Sequence, residues 1–268
     1  VIFTQVAELA QHLAGAGTMV LTGGGPGLME AANLGAYTAG FDDPSAALRS
    51  VLGDCAGAPG YEHPEWLPTA FAARRALGAP QRPQLSRNVG IPTWFYGHEP
   101  PNVFATHVAK YFENSVREDG LLALAQGGLI IAPGNAGTVQ EIFQDACQNY
   151  YATFTYRSPM VLLGRRYWTE DLPAWPLLQR LAARKGFDDM ILLTDDPGRA
   201  TELAQTLDAI NRERRTVEAG MREQAEAMLE MLMPEGDAPA ALAIYGPEFH
   251  EGVVGIVAAR LKDRVHRP

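Results

Sequence analysis

Lysine is scarce in this chain: Lys110, Lys185 and Lys262 stand among 22 Lys+Arg, against 31 Asp+Glu, for a formal net charge of -9. A general nucleic-acid surface is disfavoured, because phosphate backbones demand clustered cations. Cysteine is nearly missing too. Cys55 and Cys147 lie far apart without metal spacing and read as reduced thiols, so a disulfide framework is excluded and no metal is expected. No run approaches the ~20 apolar residues needed to cross a bilayer. No charged-then-apolar leader opens the sequence, so a cytoplasmic protein with no membrane partner is expected. What is present is ordinary globular composition, 47% hydrophobic and 20% charged, over 268 residues. That is enough for one large domain, or a medium one with an appendage.

Val6, Leu9, Ala10 and Leu13 step at helical spacing, and Gly15 and Gly17 stop that helix. A helix directly ahead of a buried strand in an α/β fold ordinarily follows a strand of its own. None precedes this one, so a first strand is expected to be missing, as from a truncated N-terminus. Residues 18–22 read as a buried parallel strand that runs into Gly23-Gly24-Gly25-Pro26-Gly27 and a helix over 28–39. Residues 41–90 hold Pro44, Pro59, Pro64, Pro68, Pro80 and Pro83, with a helical piece near 69–77. They read as an insertion or lid rather than core.

A strand is expected at 91–96, weakened by Pro92, and a helix over 103–118. The next buried strand, 129–132, enters a second glycine-rich turn, Pro133-Gly134-Asn135-Ala136-Gly137-Thr138. A helix over 138–151, a strand at 160–163, a helix over 177–184 and a strand at 190–194 follow. This alternation predicts an α/β fold over 1–196, a Rossmann-like parallel sheet with helices on both faces. Beyond it, Leu203, Leu207, Ile210, Val217, Met221, Met228 and Leu232 predict one long helix, 199–232, with a narrow apolar seam. A loop at 234–239 and a small βα fragment, 240–245 and 252–263, complete residues 197–268. These are too little to bury a core of their own.

A strand that ends in glycines and feeds a helix offers several backbone N–H groups and the positive end of a helix dipole, both of which attract phosphate. A tight turn alone accounts for one such exit. Two on parallel strands lie at neighbouring carboxyl ends, where open α/β sheets place their ligands. Gly23, Gly24, Gly25 and Gly27, with Gly134, Asn135, Ala136, Gly137 and Thr138, are therefore the candidate phosphate-binding residues. Neither turn is followed by Gly-Lys-Ser/Thr, so neither is a Walker P-loop, and the spacing differs from G-x-G-x-x-G. A monophosphate fits better than NAD or ATP, and no cofactor is expected.

The stretches Gly23-Gly-Gly-Pro-Gly-Leu-Met29 and Pro133-Gly-Asn-Ala-Gly-Thr-Val-Gln-Glu141 resemble the GGGxxGLM and PGGxGTxxE motifs of the Lonely Guy (LOG) family. These are nucleoside 5′-monophosphate phosphoribohydrolases, often mislabelled lysine decarboxylases. The resemblance implies a modified Rossmann fold, usually dimeric, that releases a free base and ribose 5-phosphate. It also implies that Glu141 and an upstream arginine, best matched by Arg117, carry catalysis. A carboxylate can stabilise the oxocarbenium-like charge of glycosidic cleavage while orienting water, and an arginine offers a fork for phosphate or ribose oxygens. The competing reading of Arg117 is a solvated helix-end charge among Glu113, Glu118 and Asp119. The competing reading of Glu141 is a first-turn carboxylate favoured by the dipole. Three positions depart from the family pattern: Asn135 replaces a glycine, Gln140 a glutamate, and Glu30 stands where many members have glycine. His98 and Glu99 read as an exposed loop near the mouth of the pocket, and Tyr150-Tyr151 as packing residues.

From about Leu192 onward the sequence resembles a second family, the single-strand-specific exonuclease RecJ. The likeness is carried by Leu207-Asp-Ala-Ile-Asn-Arg-Glu-Arg-Arg215, Tyr245-Gly-Pro-Glu-Phe-His-Glu-Gly-Val-Val-Gly-Ile-Val-Ala-Ala-Arg260 and Arg264-Val-His-Arg-Pro268. It implies the helix connecting that family's two core domains and the opening of the second. The family's phosphodiesterase domain, with its Asp-His-His metal motif, has no counterpart here, so nuclease activity is not predicted. Leu192-Leu-Thr-Asp-Asp-Pro197 suits both families, and the junction reads as two unrelated reading frames joined, by assembly error or genuine fusion. The expected function is hydrolysis of the N-glycosidic bond of a purine-type nucleoside 5′-monophosphate. The alternatives are a nucleotide carrier on the same fold and a DNA-processing role through the C-terminal part.

Overall fold

The computed structural model describes residues 1–58, 60, 62–94, 102–125, 127–151, 158–232, 243–247, 249, 257–258 and 261–262, without the side chains of 204–215 and 232. Phe3, Val6, Ala10 and Leu13 recur at three- and four-residue steps and form the buried face of α1 (Ile2–Gly15). After β1 (Val20–Thr22), α2 (Leu28–Thr38) packs closely on α1. Gly35 permits the approach, since a Cβ there would collide with the Ala7 carbonyl. Next come α3 (Pro44–Gly57), α4 (Trp66–Leu77), β2 (Asn88–Gly90), β3 (His107–Val108), α5 (Asn114–Leu124), β4 (Leu129–Ile131) and α6 (Ala136–Tyr151). They are followed by β5 (Met160–Leu163), a π-helical turn at Tyr167–Asp171, α7 (Trp175–Lys185), β6 (Ile191–Thr194) and α8 (Pro197–Leu232).

The strands form two three-stranded parallel sheets, ordered β1-β2-β3 and β4-β5-β6, where one sheet was expected. The second sheet is covered on both faces. Leu129, Met160, Leu162, Ile191 and Leu193 pack with Ile142 and Ala146 of α6 and Leu178 and Ala182 of α7. The alternate residues Ile130, Val161 and Leu192 meet Leu9 and Leu13 of α1 and Ala200 and Leu203 of α8, together with Val20 of β1. Period-2 alternation on buried parallel strands produces this division. The architecture is a mixed α/β one, consistent with the expected Rossmann-like class.

Five expectations are corrected. Residues 41–90 are not outside the core: Leu48, Val51, Leu52 and Cys55 of α3 and Ala70 and Ala73 of α4 join Phe3, Tyr37 and Phe104 in a core cluster. Pro44 does not break structure there, because it opens α3 behind an Asp43 side chain that accepts from Ala46 N at 2.8 Å. The strand expected at 91–96 lies earlier, as β2, with Thr93 forming only an isolated bridge to Tyr111; residues 95 and 96 lie outside the described residues. The helix expected over 103–118 starts only at Asn114. Upstream of it, Asn102 Oδ1 accepts from Ala105 N at 3.1 Å, and Thr106 Oγ1 accepts from Asn88 N at 2.9 Å, which hold the chain in a turn and β3. The C-terminal part also buries a small cluster of its own, with Met221 and Ala225 of α8 against Val257. Of the expected βα fragment, 243–245 are not in a strand, and most of 252–263 lies outside the described residues. Among the described residues no helix is long and apolar enough to cross a membrane.

Candidate functional site

The first glycine turn leaves β1 over a buried amide network. Thr22 Oγ1 donates to Asn33 Oδ1 at 2.7 Å and accepts from Gly24 N at 3.1 Å. Asn33 Nδ2 donates to Asn88 Oδ1 at 2.7 Å, and Asn102 Nδ2 donates to Asn33 Oδ1 at 2.9 Å. Asn102 also binds the turn from outside, its N–H donating to the Gly24 carbonyl and its Nδ2 to the Gly25 carbonyl, both at 3.1 Å. Gly24, at φ +72°, has no room for a Cβ beside Pro92 and the Ile91 amide. Gly24 and Gly25 are thus buried structural glycines, and Gly27 serves as the N-cap of α2. Gly23 alone of the four lines the cavity described below.

The second turn leaves β4 and opens α6. Gly134 is packed so closely by Thr138 that a Cβ would fall on its hydroxyl, and the Gly134 carbonyl accepts from Tyr167 Oη at 2.6 Å. Asn135, Ala136 and Gly137 are exposed at the start of the helix. Their position combines open backbone with the positive end of a 16-residue helix.

Arg117 and Glu141 meet between the two turns. Arg117 Nη1 stands 3.2 Å from Glu141 Oε1, and Arg117 Nη2 donates to Asn114 Oδ1 at 2.8 Å. A Cβ on Gly23 would lie 3.0 Å from Arg117 Nη1, so the first turn abuts the same guanidinium. Gly23, Pro133, Gly134, Asn135, Thr138 and Glu141 border one end of a cavity of about 550 Å³. Burial raises the Glu141 carboxyl above its usual range; the Arg117 charge opposes this, the Glu118 charge adds to it, and the Arg117 hydrogen bond opposes it. Arg117 Nε is buried without a hydrogen-bond partner among the described residues.

Glu118 escaped notice in the sequence except as a neighbouring charge. It is fully buried, accepts from Asn114 Nδ2 at 2.7 Å and from Gln140 Nε2, and lies 3.6 Å from Arg117 Nη2. Asp145 was also missed. It sits one turn beyond Glu141 on α6, buried, accepting from Asn149 Nδ2 at 3.0 Å, and burial lifts its pKa to about 7. Their signal was the i, i+4 step from Glu141 to Asp145 and the adjacency of Arg117 and Glu118. Glu30 turns away from the site into the core, where it accepts from Trp66 Nε1 at 2.9 Å and burial raises its pKa to about 7. Tyr150 packs against the second core while Tyr151 is exposed, and His98 and Glu99 lie outside the described residues.

No protein-family model matches the chain. It is similar to the single-stranded-DNA-specific exonuclease RecJ of Escherichia coli (strain K12), 46% identical over 95 residues that cover 33% of this chain and 16% of that protein. RecJ of Thermus thermophilus is 42% identical over 79 residues, covering 29% of this chain and 11% of that protein. RecJ of Bacillus subtilis (strain 168) is 36% identical over 78 residues, 29% of this chain and 10% of that protein. The chain thus spans 16% or less of the length of these relatives. About a third of the chain is RecJ-like, as the residues from Leu192 onward led us to expect.

Proposed function

We propose that the part of the chain built on β1 and β4 hydrolyses the N-glycosidic bond of a purine-type nucleoside 5′-monophosphate, the activity implied by its resemblance to the LOG family. The observation that carries this reading is the Arg117–Glu141 pair, 3.2 Å apart and bordered by both glycine turns. The exposed N-terminus of α6 binds the 5′-phosphate through backbone N–H groups near Asn135–Thr138. Arg117 holds the Glu141 carboxylate in place at 3.2 Å and favours its ionised form against burial. Glu141 faces the ribose, stabilising positive charge as the C1′–N bond lengthens and orienting a water. The water oxygen bonds to C1′, one water proton passes through Glu141, and the base leaves with the bonding electron pair and takes up a proton. A second copy of the chain is the expected partner, following the same resemblance.

Incubation of the chain with AMP, with parallel measurement of AMP binding and of ribose 5-phosphate, tests this reading. Binding with release supports it, whereas binding without release favours a nucleotide carrier.

The RecJ relatives favour a second reading for the C-terminal part, a role in DNA processing. Binding of a single-stranded oligonucleotide by the chain is its test. The sequence of that part holds no Asp-His-His motif, and we assign it no nuclease chemistry.

A further inference from the structure

Two consecutive carboxylates of α5 each accept from a glutamine of α6. Gln140 Nε2 donates to Glu118 Oε2, and Gln144 Nε2, one turn further along α6, donates to Asp119 Oδ1. The second bond is exposed, whereas Glu118 is fully buried. The other oxygen of Glu118, Oε1, accepts from Asn114 Nδ2 at 2.7 Å. Asn114, Arg117 and Glu118 share one face of α5 at three- and four-residue steps. Asn114 Oδ1 accepts in turn from Arg117 Nη2 at 2.8 Å, and Arg117 Nη1 donates to Glu141 Oε1 at 3.2 Å. Gln140 and Glu141 are neighbours in the chain, so these contacts close a ring between the two helices.

The ring dictates its own residue types. A carboxylate only accepts hydrogen bonds and a guanidinium only donates them. Asn114 stands between one of each, so its amide has a single orientation, nitrogen to Glu118 and oxygen to Arg117. Gln140 faces a buried acceptor and supplies the N–H that this acceptor needs. A carboxylate at 140 would set acceptor against acceptor and charge against charge where water does not reach. The glutamine at 140, a departure from the LOG pattern, thus answers to the carboxylate at 118.

We infer that Glu118 is a positioning residue: anchored by Gln140 of the facing helix, it aims the Arg117 guanidinium at Glu141 through Asn114. Buried as it is, Glu118 touches no ligand and acts only through Arg117. A guanidinium held at both Nη groups keeps its plane, whereas one held at a single Nη turns about its Nε–Cζ bond. Only the kinetic consequence of this role rests on the hydrolysis proposed above.

The test inverts the bond between 118 and 140 in the full chain. Gln140→Glu alone opposes two carboxylates. The exchange Glu118→Gln/Gln140→Glu restores a donor and an acceptor, because an amide at 118 accepts from Asn114 through its oxygen and donates to the new carboxylate through its nitrogen. Isotope-edited NMR of the guanidinium nitrogens follows Arg117, whose signals are assigned by their loss in Arg117→Met. The wild type is expected to show separate Nη signals, Gln140→Glu merged ones, and the exchange separate ones again. With AMP, kcat is expected to fall about tenfold or more in Gln140→Glu and to return to within about threefold of wild type in the exchange. KM changes little, because the phosphate is held by the backbone of α6. Merged signals in the wild type, separate signals kept in folded Gln140→Glu, or an exchange that recovers neither folding nor the separate signals overturns the inference. Should Gln140→Glu fail to fold, the exchange decides alone. Arg117 signals that behave as expected while AMP stays intact with every form contradict the hydrolase reading and leave the positioning role standing.

Discussion

Arg117 Nη1 lies 3.2 Å from Glu141 Oε1, joining α5 to α6 beside Gly23, where the first glycine turn begins. The pair sets the state of the carboxylate. Burial pushes Glu141 toward its neutral form, and Arg117 pulls it back.

If ionised Glu141 is the working form, activity rises with pH through its pKa. Replacing Arg117 by Met removes the charge that lowers this pKa, so the acid limb of the kcat/KM profile moves to higher pH, besides a large loss of rate. Glu118→Gln removes a charge that raises it, and the acid limb moves to lower pH. Opposite displacements in the two pH–rate profiles are the expected outcome.

Asp145 makes stability depend on pH independently of turnover. Its pKa rises from 3.8 to about 7 on folding. The folded chain holds this proton at pH values where the unfolded chain has lost it, so stability falls as pH climbs through that window. Asp145→Asn removes the cost and can still accept from Asn149. Its melting temperature is expected to match the wild type near pH 4 and exceed it near pH 8, by up to about 4 kcal/mol in free energy. Equal melting temperatures at pH 8 contradict this.

The helices of 41–90 supply core, and truncation there costs accordingly. Leu48→Ala on α3, from a fully buried site, is expected to destabilise by roughly 2–5 kcal/mol in urea unfolding. Phe71→Ala on the exposed face of α4 is expected to cost less, about 1 kcal/mol or below.

Where local pattern and tertiary structure agreed, the sequence was readable. Met160–Leu163 and Ile191–Thr194 are short continuous apolar runs and became buried parallel strands at almost those residues. The long α8 formed over nearly the expected span, beginning two residues early at Pro197, but Val217 of the expected seam is exposed while Ala225 and Leu229 are buried with Met221. Where distant partners decided, pattern reading failed. Val108, Phe112 and Val116 are spaced as on a helix, yet Thr106 and Asn102 bind Asn88 and the first glycine turn, which lie far upstream. Proline was misread over 41–90, because Pro44 and Pro68 lie in the first turns of α3 and α4, where a missing N–H costs little. At the site, Arg117 and Glu141 came from a motif resemblance and are in contact. Glu118 and Asp145 are buried carboxyls whose importance depends on burial, which residue type alone does not disclose.

The most direct measurement is release of ribose 5-phosphate from AMP by the intact chain and by its Glu141→Ala variant, with AMP binding followed in both. The account predicts one ribose 5-phosphate and one adenine for each AMP consumed. In the variant, release falls by about 100-fold or more while AMP is still bound. Intact AMP after prolonged incubation with a chain that binds it, or equal release by the variant, would contradict the account.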